Sequence, residues 1–134
     1  MKAIIPAAGI GKRLRPHTLT LPKVMLNVGG KPILAHIVDR LNKTDVDEFA
    51  IIGGYQKHTI IDYFQKNYPD LRFSFPEQTE MEGLGHAVAY GLEDSDDPAL
   101  IVLGDTIIDT DFTLFTSGEE NMLGVVEVDD PLGL

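Results

Sequence analysis

The sequence predicts an α/β domain in three layers, a largely parallel sheet with helices on both faces. Two observations point there. Apolar runs of strand length alternate with stretches of helical period, and Gly- or Pro-bearing segments follow the runs. Strands covered on both sides read as continuous apolar runs rather than alternating ones, and Lys2–Pro6, Phe49–Ile52 and Ala99–Leu103 have that character. The 134 residues fit a single domain, residues 1–134, since domains commonly span roughly 100–200 residues. No internal repeat, low-complexity tract or linker divides it.

The elements follow in order. Lys2–Pro6 reads as a short buried strand, and Ala7 to Pro22 as a loop too rich in Gly and Pro for regular structure. From Pro32, the apolar residues Ile33, Leu34, Ile37, Val38 and Leu41 form a helical stripe. Phe49–Ile52, followed by Gly53 and Gly54, is a second buried strand. His58–Tyr68 is helical, with Ile60, Ile61, Phe64 and Tyr68 on one face. Leu71–Phe75 alternates and predicts a strand. Leu84–Leu92 is a helix of small residues, Ala99–Leu103 an apolar strand ending at Gly104-Asp105, 111–116 a short helix, and Met122–Val128 a last strand.

Composition narrows the function. There are no cysteines, which excludes a disulfide scaffold, a Cys zinc site, a thiol nucleophile and an iron–sulfur cluster, and agrees with a cytoplasmic protein. No apolar run approaches the roughly 18 residues of a membrane span. The stretch Ala3–Ile10 lacks the make-up of a signal peptide, because Pro6, Gly9 and Gly11 interrupt it and basic residues follow. The net charge of −10 opposes binding to nucleic acid or an anionic membrane. Its distribution is uneven: residues 1–43 carry +7, from eight bases against Asp39, and the remainder −17. A basic segment in an acidic chain points to a local anion site, although Lys2, Arg40 and Lys43 read as solvated surface.

Ligands of parallel sheets sit beyond the carboxyl ends of the strands, and the unusual segments fall there. In Ala7–Pro16, Gly9 and Gly11 permit a tight turn that brings N–H groups against a phosphate, while Lys12, Arg13 and Arg15 supply charge. The spacing is neither that of a P-loop nor that of a dinucleotide fingerprint, whose third glycine is Leu14 here. Taken alone the segment equals an ordinary strand-to-helix loop. Lys23, fixed by Pro22, can point at a phosphoryl group, but by itself reads as an exposed lysine. Asp105 at a strand end suits magnesium as a hard oxygen ligand, and suits equally a turn residue. In Gln78–His86, Gly83 and Gly85 admit a flat ligand and Gln78 offers a donor and an acceptor to a base edge. His86 reads as a packing or capping residue, and Glu80 and Glu82 as solvent-facing. The histidines show no metal-ligand spacing.

Together these residues resemble the sugar-1-phosphate nucleotidyltransferases (nucleoside-diphosphate-sugar pyrophosphorylases). The match runs through Ala7-Ala-Gly-x-Gly-x-Arg-Leu-x-Pro16, Pro22-Lys23, Gly29-Gly-Lys-Pro32, Gln78 with Glu82–Ala87, and Leu103-Gly-Asp105. The order is kept over nearly the whole chain, and the pattern looks most like the glucose-1-phosphate thymidylyl- and uridylyltransferases. The resemblance implies a Rossmann-like α/β/α fold with a mostly parallel, mixed sheet. It also implies transfer of a nucleoside monophosphate from a nucleoside triphosphate, UTP or dTTP, to a sugar 1-phosphate, with release of pyrophosphate. By the same resemblance, Arg13 and Lys23 are catalytic, the backbone of Gly9 and Gly11 and Arg13 hold the triphosphate, and Asp105 holds Mg²⁺. Gln78 and Gly83 read the base, which Ala8 and Gly9 approach through their backbone. A homo-oligomer fits the pattern too.

One departure stands out. Family members continue well past the stretch at Asp130–Leu134, and the later part supplies most of the sugar pocket and a second metal-binding aspartate. The expectation is therefore an N-terminal, nucleotide-binding portion, truncated, that binds a triphosphate weakly and makes no nucleotide sugar unaided. The alternative reading is a non-catalytic nucleotide-sensing or regulatory module of the same fold. A nicotinamide-dependent oxidoreductase comes third, weakened by Leu14.

Overall fold

The computed structural model describes residues 1–128 except Ile10, Tyr55, Met81, residues 93–96 and Glu119, with Lys12 described in its backbone alone. Strand β1 (Lys2–Pro6) opens the chain, and three single 3-10 turns follow at Lys12–Leu14, His17–Leu19 and Lys23–Met25. A two-stranded antiparallel ribbon, β2 (Asn27–Val28) and β3 (Lys31–Pro32), leads into α1 (Ile33–Leu41). Next come β4 (Glu48–Ile52), α2 (Lys57–Asn67), β5 (Phe73–Ser74), α3 (Leu84–Leu92), β6 (Ala99–Ile101) and α4 (Thr113–Thr116).

The main sheet has the order β5-β4-β1-β6, and every pairing in it is parallel. Its two faces feed two cores, and the strands alternate between them as the pleat requires. Ala3, Ile5, Phe49 and Ile51 point into the larger core with Leu34, Ile37, Val38 and Leu41 of α1 and Ile60 and Phe64 of α2. Ile4, Ala50 and Ile52 point the other way, against Ala87 and Tyr90 of α3. Each of these side chains is 0–3% exposed apart from the partly buried Tyr90, so each large one contributes ~1.5–3 kcal/mol by leaving water.

The connections place the site. The crossovers through α1 and α2 stay on one face and move outward from β1 to β4 and β5. The crossover through α3 returns over the opposite face to β6, on the far side of β1. The direction of winding therefore reverses between β1 and β6, which is where ligands of such sheets bind.

The structure refines the sequence reading at four points. Leu71–Phe75 contributes just Phe73–Ser74 to the sheet, a two-residue edge strand. The loop from Ala7 to Pro22 holds two 3-10 turns. The ribbon around Gly29 (φ +58) and Gly30 (φ +93) is absent from the sequence reading, although a two-residue turn with both φ positive is the hairpin type that favours Gly-Gly. Met122–Val128 forms no strand. An extended segment becomes a strand through a neighbour that takes up its N–H and C=O groups, and no described strand pairs with this one. Leu123, Val125 and Val126 are 80–85% exposed.

Close approach of α3 to β1 depends on Gly91, where an added Cβ would come within 2.6 Å of Ile4 Cγ2. Gly91→Ala is therefore expected to cost ~1–3 kcal/mol by overpacking, outweighing alanine's helical preference of ~1 kcal/mol. Gly85, also in α3, has open space around it, so Gly85→Ala should leave stability equal or slightly raised. Urea denaturation of both variants checks the contrast.

Candidate functional site

All the segments singled out in the sequence emerge at the carboxyl edge of the sheet. The loop after β1 is anchored at once, for Ala7 N–H donates to Ile52 O at 2.9 Å. Ala8 lies against Gly54, where an added Cβ would stand 3.2 Å from Ala8 Cβ, so the turns after β1 and β4 touch. Gly11 then takes φ +62, a left-handed conformation that suits glycine. Its carbonyl accepts Leu14 N–H at 2.9 Å and the Thr18 hydroxyl at 2.9 Å. Arg13 is exposed and pairs with no carboxylate among the described residues. The Lys12 side chain lies outside the described residues.

Lys23 and Asp105 meet across the crevice between β1 and β6. Pro22 is extended (ψ 146) and turns the chain so that Val24 and Met25, 2% and 6% exposed, enter the core. Anchored in this way, Lys23 directs Nζ to Asp105 Oδ2 at 2.9 Å. On the other side, the β1–β6 ladder continues past β6: Val102 N–H donates to Ile4 O at 3.0 Å and Gly104 N–H to Pro6 O at 3.2 Å. Gly104 is required there, because a Cβ would sit 2.8 Å from Pro6 O and 3.4 Å from Val24 Cγ1. Asp105 is thus carried to the end of β1 by a backbone with no side chain to hold it off.

The base-edge candidates lie at the other end of the same edge, beyond β4 and β5. Gln78 N–H donates to Gly53 O at 3.0 Å, and its side chain is buried, at 7% exposed. Gln78 Nε2 donates to Gly83 O at 3.3 Å, where Gly83 holds φ +100. That leaves Oε1 unbonded among the described residues. His86 packs edge-on against Tyr90, ring centroids 5.0 Å apart, with Nδ1 3.2 Å from Glu80 O, so it serves packing as expected. Lys23, Asp105 and Gly11 therefore form one group and Gln78 and Gly83 a second, while Arg13 makes no contact with either group among the described hydrogen bonds and ion pairs and adjoins the first through its place in the loop. Thr18 and Gln56 also hold this edge and escaped the sequence reading, since nothing in their local sequence marks them.

Two hollows of the described surface lie away from this edge. One of about 290 Å³ is lined by Arg40, Lys43 and residues 110–113, and one of about 380 Å³ lies at the opposite end of the sheet. At the sheet edge the charged side chains are partly open to solvent, with Lys23 33% and Asp105 43% exposed. Among the described residues no group of three or more ligating side chains could cage a metal. Magnesium needs no such cage, since it takes one or two carboxylates and fills its shell with phosphate oxygens and water. Asp105, 43% exposed in its side chain, fits that role as a single anchoring ligand.

The hydrogen bond from Lys23 holds the Asp105 carboxyl below the ordinary carboxylate range, aided by the lysine charge and Thr106 and opposed by partial burial. A depressed carboxylate stabilises the fold above its ordinary pKa and loses that contribution as pH falls through the folded value. Lys23→Met should therefore bring the Asp105 midpoint up toward 3.8, read by carboxyl NMR titration, and shift the onset of acid unfolding slightly upward.

Comparison with known proteins identifies the family. The sequence profile of the Nucleotidyl transferase family matches residues 2–126. A bifunctional protein GlmU of Methanocaldococcus jannaschii is 41% identical over 98% of this chain and 31% of its own length. A UTP–glucose-1-phosphate uridylyltransferase, AglF of Haloferax volcanii, is 37% identical over 80% of this chain and 44% of its own. The crystal structure of a UDP-glucose pyrophosphorylase complexed with UDP-glucose superimposes with a TM-score of 0.77 at 30% identity, over 87% of this chain and 52% of that one. The chain thus spans between about a third and a half of the proteins it matches. Matched by the profile almost from end to end, with the ordered motifs converging on one sheet edge, the chain belongs to the nucleotidyl transferase family.

Proposed function

We propose that the chain is the nucleotide-binding portion of a sugar-1-phosphate nucleotidyltransferase. In the reaction, a phosphate oxygen of the sugar 1-phosphate forms a bond to the α-phosphorus of a nucleoside triphosphate. The bond from that phosphorus to the β-phosphate bridging oxygen breaks, and pyrophosphate leaves. The observation that carries this reading is the Lys23–Asp105 pair at 2.9 Å, a cation and an anion set at the β1–β6 switch point beside a glycine loop. A triphosphate reaching the crevice would offer Lys23 a denser anion than one carboxylate, and Asp105 is the residue that would then hold Mg²⁺.

Placement supports the following roles. Backbone N–H groups of Gly9 and Gly11 would meet the phosphates, and Arg13, exposed and without a carboxylate partner among the described residues, would neutralise charge at the α-phosphorus. Lys23 holds phosphate oxygens at the reacting centre. Asp105 would hold Mg²⁺, which when bound would offset part of the triphosphate's charge. No protein nucleophile is needed: two anions must meet in line, so orientation and charge stabilisation carry the rate. Gln78 explains a choice of base. With Nε2 committed to Gly83 O, Oε1 presents an acceptor, which suits the N3–H of uracil or thymine and repels the N3 lone pair of cytosine. Ala8, against Gly54, meets the base through its backbone. The names of the uridylyltransferase and the UDP-glucose complex support the same base class.

In the full-length protein, Arg13→Ala, Lys23→Ala and Asp105→Asn should each lower pyrophosphate release by on the order of 10²–10³, the typical cost of one preorganised charge donor. Lys43→Ala, an exposed residue away from the crevice, should match wild type. Equal effects at all four positions would sink the assignment. A thermal-shift panel with Mg²⁺ should rank UTP and dTTP above CTP. Triphosphate binding without turnover in the full-length protein would favour the sensing module instead.

A further inference from the structure

Thr18 is one of three polar residues that the described part of the chain buries, at 3% exposed. Its hydroxyl donates to the Gly11 carbonyl at 2.9 Å. Its methyl group lies on the same glycine: a Cβ on Gly11 would come within 3.0 Å of Thr18 Cγ2 and within 3.0 Å of Lys23 Cβ. Thr18 and Lys23 therefore enclose Gly11 from two sides. The turn that carries Thr18, His17–Leu19, is held from behind, because Gln56 Nε2 donates to Leu19 O at 3.2 Å. Gln56 itself sits at φ +61, a conformation uncommon for a residue with a side chain.

We propose that Thr18 is a positioning residue for the triphosphate, one that fixes the glycine loop by taking up the Gly11 carbonyl. This rests on the reading of the loop as a phosphate cradle. The reason is electrostatic. A loop that binds an anion through its N–H groups must keep its carbonyl oxygens turned away, because a carbonyl dipole pointing at phosphate repels it. Glycine at φ +62 has no side chain to limit its rotation, so its carbonyl direction has to be set by partners. Gly11 O has two: Leu14 N–H at 2.9 Å and Thr18 Oγ1 at 2.9 Å, which together occupy both lone pairs. Removing the hydroxyl leaves one partner and a loop that must be ordered at the moment of binding. Thr18 is too buried to touch the ligand and acts through Gly11.

The test compares Thr18→Val, which keeps the shape and the methyl contact but lacks the hydroxyl, with Thr18→Ser, which keeps the hydroxyl. In the full-length protein, Thr18→Val should weaken UTP binding by about 3- to 10-fold, the size of one net intramolecular hydrogen bond. KM for UTP should rise by the same factor with kcat little changed. In the absence of nucleotide, hydrogen exchange at the Leu14 amide should quicken. Thr18→Ser should restore all three. A valine variant with wild-type affinity and exchange overturns the proposal, and so does one that lowers thermal stability while leaving KM unchanged, or a serine variant as impaired as valine. Should Thr18→Val fail to fold, Thr18→Ala against Thr18→Ser makes the same comparison. If wild-type protein binds no nucleoside triphosphate, the functional reading fails before any variant is made and takes this inference with it. If it binds and the variants match it, only the role of Thr18 falls.

Discussion

The structure depends on β1 being satisfied along both edges and on both faces. Its backbone is paired with β4 on one side and β6 on the other, and its residues Ala3, Ile4 and Ile5 are completely buried. Such a strand tolerates little around it. Gly91 lets α3 lie against Ile4, and Gly104 lets the chain after β6 follow β1 to its last carbonyl. The glycine loop, Lys23 and Asp105 are held in register because they leave from, or end beside, this one strand. A shift of β1 by a single residue would exchange its two core faces and carry the loop away from Asp105.

Charge is organised around the same strand. An acidic chain repels a polyphosphate at long range, so the approach must be made through the basic segment before residue 44, where Arg13 and Lys23 stand. Asp105 is the exception at the crevice, an acid within reach of a lysine. Left without partners, each charge in a half-covered site would lose hydration without return; paired, each partly replaces it. Mutual neutralisation of this kind holds a site in shape until a stronger ligand arrives for each member.

Most of the fold was legible in the sequence, and so were the segments that gather at the carboxyl edge. Continuous apolar runs marked β1 and β4 because both faces of the sheet are covered there; the run at β6 marked a strand too, although Ile101 is 50% exposed in the described structure. The stripe from Ile33 to Leu41 marked α1 because Leu34, Ile37, Val38 and Leu41 share one face. Met122–Val128 was misread because a strand-like composition specifies no partner, and pairing is a property of two segments. Thr18 and Gln56 were invisible for a related reason. Their meaning lies in contacts to Gly11 and Leu19, seven and 37 residues away, and a threonine between histidine and leucine carries no local sign of burial. The Lys23–Asp105 contact spans 82 residues; the family resemblance set both at one triphosphate, but their direct pairing is visible only in the fold.

The placement of β1 also has a consequence for synthesis of the chain. Its first strand is the centre of its sheet, yet one edge of that strand waits for residues 99–101 and for the Gly104 amide. At ~5–20 residues per second, a ribosome leaves that edge bare for on the order of 5–20 s after β1 has been made. During that interval Lys2–Pro6 and Glu48–Ile52 form a nascent apolar ribbon with open hydrogen-bonding groups, the kind of intermediate that invites pairing with the wrong chain. The open edge of β1 is therefore a hazard that lasts until residues 99–104 have been made.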